Sequence, residues 1–286
     1  MTNKIIINDI QIAKTSEILN RLDYAINNKK SFGLVRFGDG TTKAIHSFLN
    51  KDYEQIINIS EQEGIPISVF DRIIDFWKAS ANHCDYIDTP EVYFSDKFWG
   101  RTKGLKKKAM SEKTIMRLKM WKKLYSKIGI VNENYCNPEV NFLSCIIGKY
   151  GKKCLPDLLK NKKICFVTSR CDVNEKLSNY DYDIDVLKIN GKFENQYINS
   201  FGKVIEEIDS CATKYDLWLI AAGELGRIYP GLIKFKGGRA FDIGSLIDYW
   251  CGEGIPSRLK AYLTITIHHP LKFALTTNGK EFTQYI

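Results

Sequence analysis

One carboxylate and one guanidinium group stand on a bare piece of backbone near the start of the chain. In "RFGDG" (36–40), Asp39 lies between two glycines and Arg36 precedes the first of them. Glycine between a strand and a helix lets backbone N–H groups approach a ligand, and a helix start favours an anion. The stretch therefore predicts an anion-binding turn, although Asp-Gly is also common in plain turns.

Two later stretches have the same form, in which a strand ends in glycine and leads into a helix. They are "IAAGELGR" (220–227) and "FDIGSLID" (241–248). Each has a simpler explanation: the first lacks the lysine of a P-loop, and Asp242 could cap the helix that follows. A further pair, Ser169 and Arg170, follows an apolar strand and could either reach a phosphate or lie in an exposed loop.

The elements that carry these stretches alternate between apolar strands and helices. From residue 162 onward we predict strands at 162–169, 182–189, 215–223 and 237–244, with helices at 199–212, 225–235 and 245–250. This alternation predicts an α/β fold with a Rossmann-like, mostly parallel sheet flanked by helices. Ligands of such sheets bind beyond the carboxyl ends of the strands, where all three glycine stretches would lie. Together they favour a phosphate-bearing ligand.

The first half of the chain is harder to interpret. We predict helices at 15–28, 41–50, about 71–79 and 111–128, and a strand at 31–37. Asp85 and Asp88 precede Pro90 and fit either an acceptor-site pair or a turn. We expect one domain over 1–286. Its parts are an N-terminal part with the first glycine stretch (1–64), a helical, basic insertion (65–160), a Rossmann-like half (161–252) and a C-terminal tail (253–286).

Charge is concentrated in one segment. Between Lys97 and Lys127 there are 12 lysines or arginines and one acid, Glu112, whereas the whole chain of 286 residues has a net charge of +9. Such a face is most often solvated. It could also dock on an anionic membrane or a phosphate-bearing acceptor, and nucleic acid is the least favoured partner.

The remaining composition is that of a soluble protein, with 44% hydrophobic and 26% charged residues. No secretory signal or apolar run long enough to span a membrane is evident. The 8 cysteines are scattered without a CxxC pair, which favours reduced thiols and a cytoplasmic location.

The three glycine stretches together resemble the motifs of the GT-D-type glycosyltransferases, a bacterial family that uses nucleotide-sugar donors. The matching segments are "VRFGDGT" (35–41), "LIAAGELGRIY" (219–229) and "GGRAFDIGSLIDYW" (237–250). The resemblance implies the Rossmann-like GT-D fold and a donor, with a UDP sugar favoured, whose diphosphate is carried with Mn²⁺ or Mg²⁺.

The resemblance also implies roles for particular residues. Those expected to take part in catalysis are Arg36, Asp39 and Asp248. Those expected to hold the donor are Arg36, Gly38, Gly40, Thr41, Gly223 and Gly244. Ser169 and Arg170 are added to them from their position after an apolar strand, not from the resemblance. The metal ligands would be Asp39, Asp242 and Asp248.

One position departs from the family pattern, because Thr41 stands where the family has the second acid of "DGE". Either Asp39 works alone, or the acid comes from Asp242, Asp248 or Glu224, or activity is lost. The expected function is transfer of a hexose from a nucleotide diphosphate sugar to a glycan, lipid-linked or glycoprotein acceptor. The alternatives are a non-catalytic nucleotide-sugar or phosphate binder, and a nucleic-acid or membrane binder that uses the basic face. For the transferase, peripheral contact with an anionic membrane is a further option.

Overall fold

The computed structural model describes residues 4–7, 10–13, 15–88, 112–136, 155–178, 181–191 and 194–251. Within these ranges, the side chains of residues 4–7, 10, 15, 39, 112–118, 249 and 250 lie outside the description. The first part of the predicted basic segment, up to residue 111, and the tail at 253–286 are also outside it.

The described strands form one sheet of 9 strands. They are β1 (Lys4–Ile7), β2 (Ile10–Ala13), β3 (Phe32–Arg36), β4 (Tyr86–Asp88), β5 (Tyr135–Cys136), β6 (Lys163–Thr168), β7 (Asp183–Lys188), β8 (Leu217–Ala221) and β9 (Arg239–Asp242). Their order is β1-β2-β5-β4-β3-β9-β8-β6-β7. Only β1 pairs antiparallel, with β2, and the other pairs are parallel. The predicted Rossmann-like, mostly parallel sheet is therefore confirmed.

The two halves of the chain meet in the middle of this sheet. Strands β1 to β5 lie on one side of the boundary between β3 and β9, and β6 to β9 lie on the other. At the boundary Phe32 is in register with Arg239 and Leu34 with Phe241. The carboxyl ends of β3 and β9 are consequently neighbours, although they are far apart in sequence.

Helices cover both faces of the sheet. They are α1 (Thr15–Asn27), α2 (Asp39–Leu49), α3 (Tyr53–Glu63), α4 (Phe70–His83), α5 (Glu112–Lys127), α6 (Leu155–Leu159), α7 (Val173–Lys176), α8 (Gly202–Cys211), α9 (Tyr229–Phe235) and α10 (Leu246–Trp250). Short 3₁₀ turns cover Ile67–Val69 and Leu225–Arg227, and a π-helical turn at Tyr197–Phe201 leads into α8.

Side chains of successive strand residues enter two separate cores. In β3, Leu34 belongs to the core packed by α1, α6 and α10, while Val35 belongs to the core packed by α2, α4 and α9. Leu219 and Ile220 of β8 alternate in the same way. Because both faces are buried, the strands read as continuous apolar runs rather than alternating ones.

Helix α5 turns two aromatic side chains towards the interior. Trp121 and Tyr125 are buried, and Tyr125 packs edge-on against Phe37 at the end of β3 with ring centroids 5.4 Å apart. Its hydroxyl lies 3.1 Å from Oγ1 of Thr42 in α2. Helix α5 thus supports the segment that follows β3.

Most long elements occur where the sequence predicts them, but several short ones were not predicted. The short elements that the sequence did not indicate are β1, β2, β4, β5, α6 and α7, and the 11-residue helix α3 was missed as well. Strands β4 and β5 have 3 and 2 residues, too few for a periodic pattern.

Two further expectations concern cysteines and membranes. The six described cysteines are free thiols, and four of them are buried. Among the helices in the described ranges, none has both the length and the apolar character needed to cross a bilayer.

Candidate active site

The centre of the site is Asp242, the last residue of β9. Its Oδ2 atom accepts a hydrogen bond from the backbone N–H of Arg36, 3.2 Å away, and its Oδ1 atom accepts one from the N–H of Gly244, 3.1 Å away. With 1% of its surface exposed, the residue is removed from water. A single carboxylate therefore ties the end of β3 to the end of β9.

Arg227, from the turn after β8, supplies the counter-charge. Its Nη1 atom donates to Oδ2 of Asp242 at 2.5 Å, and its Nε atom lies 3.9 Å from Oε2 of Glu224. Burial opposes the charge of Arg227, but the two carboxylates outweigh it and hold the pKa of Arg227 above its ordinary value. The guanidinium group joins the β8 turn to the ends of β3 and β9.

Glu224 continues these contacts into α2. Its Oε2 atom accepts a 2.5 Å hydrogen bond from Oγ1 of Thr41, whose side chain is fully buried. A Cβ atom added at Gly40 would lie 2.6 Å from Oε1 of Glu224. The carboxylate thus packs against the first turn of α2, where only glycine leaves it room.

Arg36 has a second partner on the neighbouring strand. Its Nε atom lies 3.8 Å from Oδ2 of Asp88, in register with it at the end of β4, and both side chains are largely buried. Gly244 has a φ of +51°, and a Cβ atom there would lie 2.2 Å from Nη1 of Arg36. The left-handed backbone angle favours glycine at 244, and the guanidinium group occupies the space that the missing side chain leaves.

A second group of residues surrounds Arg170, after β6. Its Nε and Nη2 atoms donate to the two carboxylate oxygens of Asp172 at 3.1 and 2.8 Å, and its Nη1 atom donates to Oδ1 of Asp248 at 3.3 Å. These hydrogen bonds lower the pKa of Asp172. The neighbouring Ser169 is exposed.

The remaining predicted residues lie in the turns that follow β3 and β8. Asp39 is the first residue of α2, and its side chain lies outside the description. Gly38 caps that helix without a side-chain hydrogen bond, and a Cβ atom there would meet nothing within 4 Å. Gly223 has a φ of +56° in the turn that leads to Glu224.

The contacts therefore divide the predicted residues into two groups. Arg36, Gly40, Thr41, Asp242 and Gly244 belong to one connected set through Glu224 and Arg227. The predicted metal ligands Asp242 and Asp248 have different arginine partners, Arg227 and Arg170. Among the described side chains, no group of three or more His, Cys, Asp or Glu is arranged to hold a metal ion.

Sequence reasoning missed or underused four residues of these two groups. Arg227 and Asp172 were not considered, Asp88 was left between an acceptor-site residue and a turn, and Glu224 was named only as one source of an acid. The position of Asp88 directly after the apolar residues of "YID" was the available signal. Its pairing with Arg36 depends on the order of the strands, which the sequence does not state.

Comparison with known proteins gives matches in structure only. No sequence model of a known family matches the chain, and no curated protein sequence matches it.

Three solved structures align with 84% of this chain. One, described as a new glycosyltransferase (DUF1792) from Streptococcus sanguinis, is 18% identical over 84% of its own length, with a TM-score of 0.52. The second is a selenomethionine-substituted structure of the domain of unknown function 1792, and the third is described as that domain having a distinct glycosyltransferase fold. Both are 17% identical over 79% of their length, with TM-scores of 0.51. The chain therefore has the fold of the DUF1792 structures, as the resemblance of its three motifs implied.

Proposed function

We propose that the protein is a glycosyltransferase that moves a hexose from a nucleotide diphosphate sugar to a glycan or glycoconjugate acceptor. The observation that carries this proposal is the connected set of buried contacts that joins three glycine-bearing strand ends at the centre of the sheet. Ligands of parallel sheets bind beyond these ends. The fold shared with structures described as glycosyltransferases adds support.

In this proposal the donor diphosphate binds at the start of α2. The first N–H groups of a helix have no partners within the helix and favour an anion. The space beside Gly38 leaves room for a phosphate oxygen. Arg36 and Gly223 would complete this side of the donor site, and exposed Ser169 would approach the donor from the end of β6.

The charges around the start of α2 are compatible with a divalent cation. The connected set, together with the neighbouring end of β4, contains three carboxylates and two guanidinium groups. The carboxylates belong to Asp88, Asp242 and Glu224, and the guanidinium groups to Arg36 and Arg227. Mg²⁺ at phosphate sites commonly takes one or two carboxylates, with phosphate and water as the other ligands. We propose that Asp39 would be the first such ligand, with Asp242 or Asp248 as the second. A divalent ion held there would supply positive charge to offset that of the diphosphate.

The reaction breaks the bond between the sugar and the diphosphate and forms a bond to an acceptor oxygen. The electron pair leaves with the nucleoside diphosphate, where Arg36 and the helix start would stabilise it. If the configuration at the sugar carbon is inverted, Asp39 would accept the proton of the acceptor hydroxyl as general base.

A screen of donors tests the proposal. Thermal shift with UDP and GDP sugars, each with and without Mn²⁺ or Mg²⁺, identifies the donor, and hydrolysis of that donor then reports turnover. We expect Asp39→Asn to abolish turnover while the melting temperature stays unchanged. The matched control is Asp75→Asn, which alters a carboxylate on exposed surface and should leave turnover intact. Full activity of Asp39→Asn would remove the assignment of Asp39.

A second candidate is a nucleotide-sugar binder without catalysis. The specific observation in its favour is Thr41, which replaces the second acid of the resembling motif and is already engaged by Glu224. Calorimetry that shows donor binding, together with no hydrolysis or transfer under any of the metal conditions, would support the binder. Absence of any nucleotide binding would contradict both functions.

A further inference from the structure

Thr41 and Glu224 form a side-chain hydrogen bond in the interior of the protein. Both are buried, and their atoms Oγ1 and Oε2 lie 2.5 Å apart. A carboxylate removed from water must be paired or hydrogen-bonded, otherwise it is strongly destabilising. Here the described polar partners of the carboxylate are the hydroxyl of Thr41 and the guanidinium of Arg227.

Glu224 is itself held from the opposite side. Nε1 of the buried Trp77 in α4 donates to its backbone carbonyl oxygen at 2.9 Å. Arg227 is fixed in turn by Asp242. The backbone of Glu224 and the guanidinium group beside its carboxylate are therefore both held by other residues.

Besides the bond to Glu224, the first turn of α2 has the contacts of Thr42. The Oγ1 atom of Thr42 donates to the carbonyl oxygen of Gly38 and lies 3.1 Å from the hydroxyl of Tyr125. The N-cap, Gly38, makes no side-chain cap hydrogen bond, so the stabilisation that a Ser, Thr or Asp cap supplies is missing. A negative charge beside a helix start is favourable, and Glu224 supplies one from another element. The close fit of Oε1 against Gly40 restricts the turn further.

We propose that Glu224 is a positioning residue, which through Thr41 holds the first turn of α2 in the geometry that presents its N–H groups to the diphosphate. The identity of the ligand in this inference rests on the proposed function, whereas the geometry of the turn does not depend on that function. The inference gives position 41 a role that a threonine fulfils, and it makes Glu224 a part of the donor site that touches no donor atom.

Two measurements on one set of variants test the proposal. The first is the hydrogen-exchange rate of the amides of residues 39–45 without ligand, and the second is the affinity for UDP with Mn²⁺ by calorimetry. Thr41→Val should accelerate exchange and weaken UDP binding, each by about tenfold or more, since a hydrogen bond to a charged group is lost. Thr41→Ser keeps the hydroxyl and should restore both.

A double substitution checks that Glu224 is the partner. Because Thr41→Val and Glu224→Ala break the same contact, the double variant should lose little more than the more severe single variant. Full additivity of the two losses would overturn the proposal.

The control for general destabilisation is Ser80→Ala. It removes the acceptor for the N–H of Gly231, a buried hydrogen bond of 3.1 Å between α4 and α9, and should leave exchange at 39–45 and UDP affinity unchanged. Equal effects of Ser80→Ala and Thr41→Val on both measurements would overturn the positioning role. If the unaltered protein bound neither UDP nor GDP, the proposed function would fail, and the exchange rates would still decide the geometry of the turn.

Discussion

Gly244 determines where the guanidinium group of Arg36 lies. The absent side chain leaves a space that Nη1 of Arg36 occupies, and the left-handed backbone angle turns the chain from β9 towards α10. The sequence predicted glycine to matter here because of ligand approach. The structure adds a different reason, which is the space taken by an arginine of the same protein.

At this scale we predict the effect of Gly244→Ala. The methyl group would clash with Arg36 and strain the backbone, so we expect a loss of about 1–3 kcal/mol in the free energy of unfolding, measured with urea. UDP affinity should fall as well, because Arg36 must move.

Gly202→Ala is the matched control for this substitution. Gly202 starts α8, where a Cβ atom would meet nothing within 4 Å, and alanine there should be neutral or stabilising by about 1 kcal/mol at most. A Gly244→Ala variant as stable as Gly202→Ala would contradict the packing argument.

The sequence predicted the glycines and acidic residues of the candidate site, but not which side chains pair with one another. Arg36 and Asp242 were identified from motif text, yet the partners that fix them, Asp88 and Arg227, depend on which strands are neighbours. Strand order is a property of the whole sheet, so local patterns do not reveal it.

Helix α5 has one face of exposed lysines and one face of buried aromatic residues. Lys119, Lys123 and Lys127 are exposed, whereas Trp121 and Tyr125 are buried against the segment that follows β3. The apolar face stabilises the candidate site through Tyr125 and Thr42. The lysines of the opposite face point to solvent.

The element-scale prediction concerns this apolar face. Trp121→Ala should cost about 3–5 kcal/mol of unfolding free energy, since a buried aromatic side chain is replaced by a cavity. Met120→Ala is the neighbouring control, because Met120 is 65% exposed and its loss should change stability by about 0.5 kcal/mol or less. Urea unfolding of both variants tests this prediction. Similar midpoint concentrations of urea for the two variants would show that α5 does not dock through Trp121.

Prediction at the level of elements succeeded where the pattern was long. Helix α5 and strands β6 and β8 have enough residues for apolar periodicity or continuity to emerge. Strands β4 and β5 are held by pairing with β3, with β2 and with each other. Their formation therefore depends on the sheet rather than on local sequence preference.

Across the whole molecule, several tyrosine hydroxyls lie in the interior. Burial raises the pKa of Tyr135 to about 12, and burial likewise raises the pKa of Tyr125 and Tyr229 well above the ordinary value. A group whose pKa is higher in the folded than in the unfolded protein stabilises the fold below the unfolded pKa. That stability is lost as the pH rises through the folded value.

We therefore predict alkaline unfolding at the scale of the molecule. The free energy of unfolding should not change on account of these tyrosines up to about pH 10 and should decrease above it, because the unfolded chain loses phenolic protons first. Urea titrations across this pH range, with tyrosinate absorbance as a second signal, measure it.

Tyr229→Phe is the informative control for the pH dependence. Among the described residues its hydroxyl has no hydrogen-bond partner, so the substitution removes one buried phenol without breaking a bond. The variant should lose less stability above pH 10 than the unaltered protein. An identical pH dependence would exclude Tyr229 from the effect.

The junction of β3 with β9 has a consequence for biosynthesis. The N–H of Arg36 and the carboxylate of Asp242 are 206 positions apart, so a ribosome must deliver nearly all of the described chain before they can meet. Contacts between such distant segments form late, because a long loop must close first. An emerging polypeptide would have its first glycine turn long before β9 could join it, and the candidate site would be complete only after β9 has been synthesised.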